Sequence, residues 1–141
     1  MPDEEALFEE GQLMDFAESL TVGDTLMLSH FHILEQPDLY QRLKREFLTV
    51  WSDFDNPPSL EVLETLPLPT ATIKESLRVA LGSYSSLIRV APDGDATIAN
   101  YMIPGGTAVG MVSFFLHNSE DIFEKPELFN PNRWLGSNAK V

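Results

Sequence analysis

The sequence predicts a mainly α-helical chain with a small antiparallel β region. Three observations predict it. Apolar residues recur at helical spacing through the first half, and proline-bearing breaks cut that half into helix-sized pieces. After Gly82 the pattern changes to short β-prone runs separated by turn signals.

The opening helical stretch carries Leu13, Phe16, Ala17, Leu20, Leu26, Met27, Phe31 and Leu34. Asp3, Glu4 and Glu5 stand near its start, where acids suit the positive end of the helix dipole. Pro37 breaks the run and can occupy the first turn of a second helix, with Asp38 beside it. That helix runs through Leu39, Leu43, Phe47 and Val50 and includes Arg42, Lys44 and Arg45. Asn56-Pro57-Pro58 is a loop signal, after which Ser59 can cap a short helix through Leu63. A full capping box would want Glu or Gln at position 62, which holds Val62. Pro67 and Pro69 punctuate again. Thr70 is expected to open a third helix over residues 70–81, ended by Gly82.

Residues 87–91 then read as a strand, and Pro92-Asp93-Gly94-Asp95 as a turn. Residues 96–103 are β-prone. Pro104-Gly105 fits the middle of a type II turn, and residues 107–112 read as another strand. From residue 121 onward the chain is rich in Pro, Asn and aromatics and reads as an ordered, irregular meander. The expected division is a helical part over 1–81, strands and a short helix over 82–120, and the meander over 121–141, all within one domain or part of one.

Charge and composition exclude several functions. The net charge is -13, and the first 41 residues hold ten acids and no Lys or Arg. Such a surface repels phosphate backbones and anionic membranes. It reads as a solvated acidic face. The cysteine count of zero removes disulfides, zinc-thiolate and iron-sulfur sites, cysteine nucleophiles and thiolate ligation of haem by this chain. No apolar run approaches the roughly 20 residues of a membrane span, and the acidic start is not a signal peptide. Localisation is therefore unmarked.

Other candidate sites are thin. His30 and His32 are two apart on a helix and point to different faces, so they make no metal pair. His117 reads as structural. Gly105-Gly106 lacks the helix and lysine of a phosphate loop. No Gly-x-Ser-x-Gly elbow occurs. Phe114 and Phe115 are expected as core aromatics.

The blocks that carry chemistry come in a particular order. Lys74-Glu75-Ser76-Leu77-Arg78 is followed by Arg89-Val90-Ala91-Pro92, then by residues 96–107, ending Ile103-Pro104-Gly105-Gly106-Thr107. His117-Asn118-Ser119 and Phe129-Asn130-Pro131-Asn132-Arg133-Trp134 complete the set. In that order and spacing the chain resembles the second half of cytochrome P450 proteins, and most of all fungal ones. The resemblance implies a partial fold of that family, comprising its I, J and K helices, its β strands and its meander.

The family's residues map as follows. Glu75 and Arg78 match the Glu-x-x-Arg pair of the K helix, and Arg133 matches the arginine of the Phe-x-Pro-x-Arg-Phe/Trp meander motif. The resemblance implies a buried, structural triad of these three. One carboxylate can accept from two guanidinium forks and so fix the meander on the helix. Asn132 stands where the family often has an acid. Arg89 matches a strand arginine that in many members reaches a haem propionate; the alternative is an ordinary edge-strand arginine. The family's Ala/Gly-Gly-x-Asp/Glu-Thr stretch falls, without gaps, on Ala17, Glu18, Ser19, Leu20 and Thr21. Thr21 keeps the hydroxyl and is the proton-relay candidate, while Leu20 fills the acid slot. Gly23-Asp24-Thr25 is a superficially better match one helical turn later, and shifting it into register would need an insertion or a helix irregularity.

The implied activity is that of a haem-dependent monooxygenase, which inserts one oxygen atom into a small organic substrate with electrons from a reductase. Haem is the cofactor the resemblance implies; without the cysteine loop, this chain alone is not expected to hold it. The chain is expected to be inactive by itself. The alternative is a truncated, non-catalytic relic or an interaction module that complements another chain. Full-length fungal relatives are usually anchored in the endoplasmic reticulum membrane, but the sequence shows no anchor. Only residues 83–89, with Tyr84, Ser85 and Ser86, stand where a ligand is expected. The family's helix after the cysteine loop would leave the central helix uncovered by its absence. At about 25 cal/mol per Å², that uncovered face costs several kcal/mol out of the ~5–15 of a domain, so loose packing or aggregation is expected.

Overall fold

The computed structural model of the chain describes residues 3–80, 82 and 85–136, with Phe16 and Glu18 described by their backbone alone. Two compact units result: Met1–Gly82 with Glu127–Val141, and Ser83–Pro126.

The larger unit is helical. Helix α1 (Glu4–Asp15) passes through a π-helical turn (Phe16–Leu20) into α2 (Thr21–Glu35). Helix α3 (Pro37–Val50) follows, with Pro37 in its first turn, where the missing N–H costs nothing. Leu39, Leu43 and Phe47 recur every four residues on α3, so one face is apolar. Leu39 and Leu43 bury with Leu68 and Phe129, and Ile33, Phe47, Val79 and Leu135 close around them. Short α4 (Leu60–Glu64) leads into α5 (Pro67–Ala80), which packs on α2, α3 and a 3-10 turn (Pro131–Trp134).

One helix start and one cap differ from the expectation. Helix α5 begins at Pro67 rather than Thr70. Pro67 and Pro69 sit in its first turn, where a proline initiates as readily as it interrupts. The Leu68 amide between them is capped from a neighbouring helix, donating to Glu46 Oε1 at 3.0 Å. Ser59 stands at the N-cap of α4 but makes no side-chain cap bond; its hydroxyl serves the Glu61 carboxylate and helps hold that group below its ordinary range. The expected stop at Gly82 falls against Leu81, which lies outside the described residues.

The smaller unit holds two separate antiparallel pairs. Strands β1 (Arg89–Val90) and β4 (Ala108–Val109) pair Arg89 with Val109 and Val90 with Ala108. Bonds from Leu87 N to Met111 O and from Ala91 N to Thr107 O extend that ladder at both ends. Strands β2 (Ala96–Ile98) and β3 (Tyr101–Ile103) form a hairpin whose loop, Ala99-Asn100, has φ of 48° and 69°. Two successive positive φ values are those of a type I′ turn, which matches the strand twist. The next turn is shifted by one residue from the expectation. Thr107 N donates to Pro104 O and Gly106 has φ +79°. The middle pair is therefore Gly105-Gly106, with the glycine at the position that requires positive φ. A Cβ on Gly105 would stand 2.8 Å from Gly94 N, so only glycine fits there. Helix α6 (Ser113–His117) follows. Phe114 and Phe115 on it are exposed, 47% and 69%, which corrects their expected place in a core. Their rings meet each other edge to face, and a five-residue helix has no second apolar face on which to seat both.

Candidate functional site

Glu75 lies on the inner face of α5 with no solvent exposure, and Arg78 beside it is 4% exposed. A buried carboxylate needs each lone pair occupied. Here Oε1 accepts from Arg78 Nη2 (2.9 Å), the Asn130 amide (2.9 Å) and Arg133 Nε (3.0 Å). Oε2 accepts from Arg78 Nε (3.0 Å) and Trp134 Nε1 (2.8 Å). The i, i+3 spacing puts Arg78 on the same face as Glu75, and the 3-10 turn brings Arg133 and Trp134 over it. Both arginines also donate to Leu128 O. Burial pushes the Glu75 carboxyl up, but the bonds from Arg78, Asn130 and Trp134 and the Arg78 charge outweigh it. Glu75 is held below the usual carboxylate range.

The three residues singled out from the sequence thus meet at one carboxylate. Two further donors escaped the sequence reading, Trp134 and the Asn130 amide. Trp134 directly follows Arg133, which was the one available hint; a backbone N–H leaves none. Asn132 turns away and accepts from Arg42 Nη2 at 2.8 Å. The hydroxyls of Thr72 and Ser76, buried on the same helix, donate to carbonyls one turn back, Leu68 O and Thr72 O. These two hydroxyls are in this way satisfied from within the helix, whereas Glu75 and Arg78 draw partners from the 128–134 segment.

Thr21 opens α2 immediately after the π-helical turn. Its hydroxyl donates to Ala17 O at 2.9 Å, across the widened turn. Single π turns inside α-helices are frequent at functional sites. Leu20, in the place of the acid, is half exposed and carries no proton. The helix irregularity that could re-register Gly23-Asp24-Thr25 does exist, but on the wrong side. It precedes these residues, so their distance to Pro37 is unchanged; Thr25 donates to Thr21 O at 2.8 Å just as Thr21 donates to Ala17 O, so that bond does not separate the two hydroxyls.

Arg89 is in the smaller unit and exposed, with Nη1 donating to Ile88 O at 2.9 Å. His30 bonds Leu26 O through Nδ1, while His32 stacks on Phe129. His117 is half-buried on α6. Among the described residues no group of three His, Asp or Glu could hold a metal. Ser83 and Tyr84 lie outside the described residues. An open cleft of about 430 Å³ is lined by Arg42, Arg45, Glu46, Pro67, Leu68 and Leu135. Its carboxylate is taken by the Leu68 amide, and Arg42 by Asn132.

A haem-thiolate centre needs a sulfur donor, and the 141 residues include no cysteine. The donor set of this chain does not fit the iron of such a centre. Among the described residues no helix is long and apolar enough to cross a membrane.

The family model for cytochrome P450 matches residues 6–141. Among curated relatives, the cytochrome P450 monooxygenase flvC of Aspergillus flavus is 42% identical over 132 residues, which is 93% of this chain and 24% of that protein. A tryptophan 6-hydroxylase, fscE of Fusarium equiseti, is 38% identical over 127 residues, 90% of this chain and 25% of its own length. The fusicoccadiene C-8 hydroxylase of Alternaria brassicicola is 34% identical over 134 residues, 94% of this chain and 25% of its own. The chain spans about a quarter of the length of these relatives.

Proposed function

Since the chain belongs to the cytochrome P450 family, we propose that it is the bracing segment of a fungal haem-dependent monooxygenase, inactive until another polypeptide segment supplies the thiolate. The observation that carries this reading is the Glu75 cluster, which ties the 128–134 segment to α5 through one fully buried carboxylate. Glu75, Arg78 and Arg133 serve it as a brace, with no proton transfer among them. The bound haem would supply the oxygen chemistry, and the protein a ligand, a proton path and a pocket. Thr21 contributes a hydroxyl at the π turn to that proton path. Arg89 contributes a guanidinium suited to a propionate. A reductase and a small organic substrate complete the reaction, in keeping with relatives that are hydroxylases by name.

The test is the carbon monoxide difference spectrum of the reduced, haem-treated chain. No thiolate-type band is expected from the chain alone. The band is expected when a polypeptide carrying a Phe-x-x-Gly-x-Arg-x-Cys-x-Gly loop is co-expressed. A thiolate-type band from the chain alone overturns the proposal.

A second reading, a non-catalytic module that complements another chain, is favoured by α2. Ile33 on one side packs against the core, while Met27, Phe31 and Leu34 are more than half exposed on other sides of the helix. A helix apolar on both sides is built to be covered on both. Failure of the band to appear in the co-expressed pair, with the pair still co-purifying, would favour this reading over the first.

A further inference from the structure

We infer that His32 and Gln36, one turn apart at the end of α2, form a clamp on Phe129 that positions the acceptor geometry of Glu75. The His32 imidazole lies flat on the Phe129 ring, with centroids 4.6 Å apart and planes 11° from parallel. Gln36 Nε2 donates to Phe129 O at 3.2 Å. Ring and carbonyl of one residue are thereby both fixed by the same helix turn. On either side of Phe129, Leu128 O accepts from Arg78 and Arg133, and the Asn130 amide donates to Glu75. Three consecutive residues are thus gripped alternately by the carboxylate cluster and by α2.

The consequence is directional. The Asn130 N–H belongs to the same planar peptide unit as the Phe129 carbonyl that Gln36 holds, so the orientation of one fixes the other. If Phe129 rotates, Asn130 must leave Glu75 Oε1, and the neighbouring 3-10 turn carrying Arg133 and Trp134 moves with it. His32 is confined as well, with Nδ1 3.6 Å from Glu35 Oε2 and its ring edge-on to Phe31. The clamp also joins the two candidate features of α2. Thr21 opens the helix and Gln36 follows its last residue. His32 and Gln36 are positioning residues: they act through Phe129 and touch no reacting atom.

The experiment uses the whole chain, labelled with ¹⁵N. Its readouts are the exchange rate of the Asn130 amide and the position of the Trp134 indole N–H resonance, which reports its bond to Glu75. His32→Ala is expected to raise Asn130 exchange roughly tenfold, in line with the loss of a stacked ring pair, and to move the Trp134 resonance toward its solvent-exposed position. His32→Phe, which keeps a flat ring, is expected to restore both. His32→Leu, which fills space without stacking, is expected to restore neither. Equal rescue by His32→Leu would reduce the residue to core filling and overturn the inference. If His32→Ala does not fold, Gln36→Met decides. It removes one donor, and the inference requires Asn130 exchange to rise while Leu43 in the core stays protected. Unchanged exchange at Asn130 sinks the clamp.

Discussion

Replacing Glu75 by Gln is nearly isosteric and removes the charge together with half of the acceptor capacity. The carboxylate takes five hydrogen bonds, three at Oε1 and two at Oε2. The best placement of the amide keeps its oxygen at the Oε1 position. Arg78 Nε and Trp134 Nε1 then face an NH₂ group that cannot accept. Arg78, 3% of its side chain exposed, loses the Glu75 charge from its surroundings. Breaking a buried ion pair from one side costs about 3–5 kcal/mol. Each lost bond to a charged group is worth about 1.5–3 kcal/mol, and these overlap with the first figure rather than add to it. Arg133 is 12% exposed and regains part of its loss from water. The expected destabilisation is therefore about 3–5 kcal/mol, a large share of the ~5–15 kcal/mol typical of a domain. Urea unfolding followed by far-UV circular dichroism measures it. Glu75→Asp, which keeps the charge but shortens the reach, is expected to fall between the two. A Gln variant within about 1 kcal/mol of the parent, the size of an ordinary surface change, would refute the cluster as a brace.

Two further outcomes follow from the same geometry. Glu75 is held below its unfolded value of about 4.3, so its contribution is complete above that pH and is lost as pH falls through the lower, folded value. Urea midpoints measured from neutral pH downward should drop in the acid range for the parent and less for Glu75→Gln; equal slopes would contradict the assignment. On α2, Met27→Lys with Leu34→Lys changes side chains 68% and 70% exposed, so stability should move by no more than about 0.5 kcal/mol each. Binding of a hydrophobic dye and self-association in sedimentation should fall together. Loss of folded structure would mean that this side of the helix is packed.

What was legible in the sequence was whatever depends on residue type at fixed spacing. Glu75 and Arg78 are one helical turn apart, so spacing alone put them on one face; that Arg133 joins them was implied by the resemblance to the family's meander motif. Leu39, Leu43 and Phe47 marked the packed side of α3 in the same way. Proline misled at α5, because the residue that ends a helix from inside also starts one from its first turn, and only the Glu46 carboxylate, 22 positions away in sequence, tells the two apart. The β2–β3 loop was missed because Ala99 is not a turn residue. An alanine at positive φ is held there by the flanking pairs Ile98–Tyr101 and Thr97–Met102 and not by its own preference.

The π turn and the clamp on Phe129 are illegible for a different reason. Neither is encoded by one residue. The turn between Phe16 and Leu20 contains no proline or glycine that would signal it. His32 read as an ordinary helix histidine because its partner lies 97 positions on, in a segment with no periodicity. Yet both features bear on the same helix. The widened turn precedes α2 and the contacts to Phe129 hold its other end. The hydroxyl of Thr21 is placed locally, by Ala17 O one turn back, whereas the far end of the same helix is held by the segment around Phe129, so changes at His32 or Gln36 should be felt first at Asn130 and Trp134.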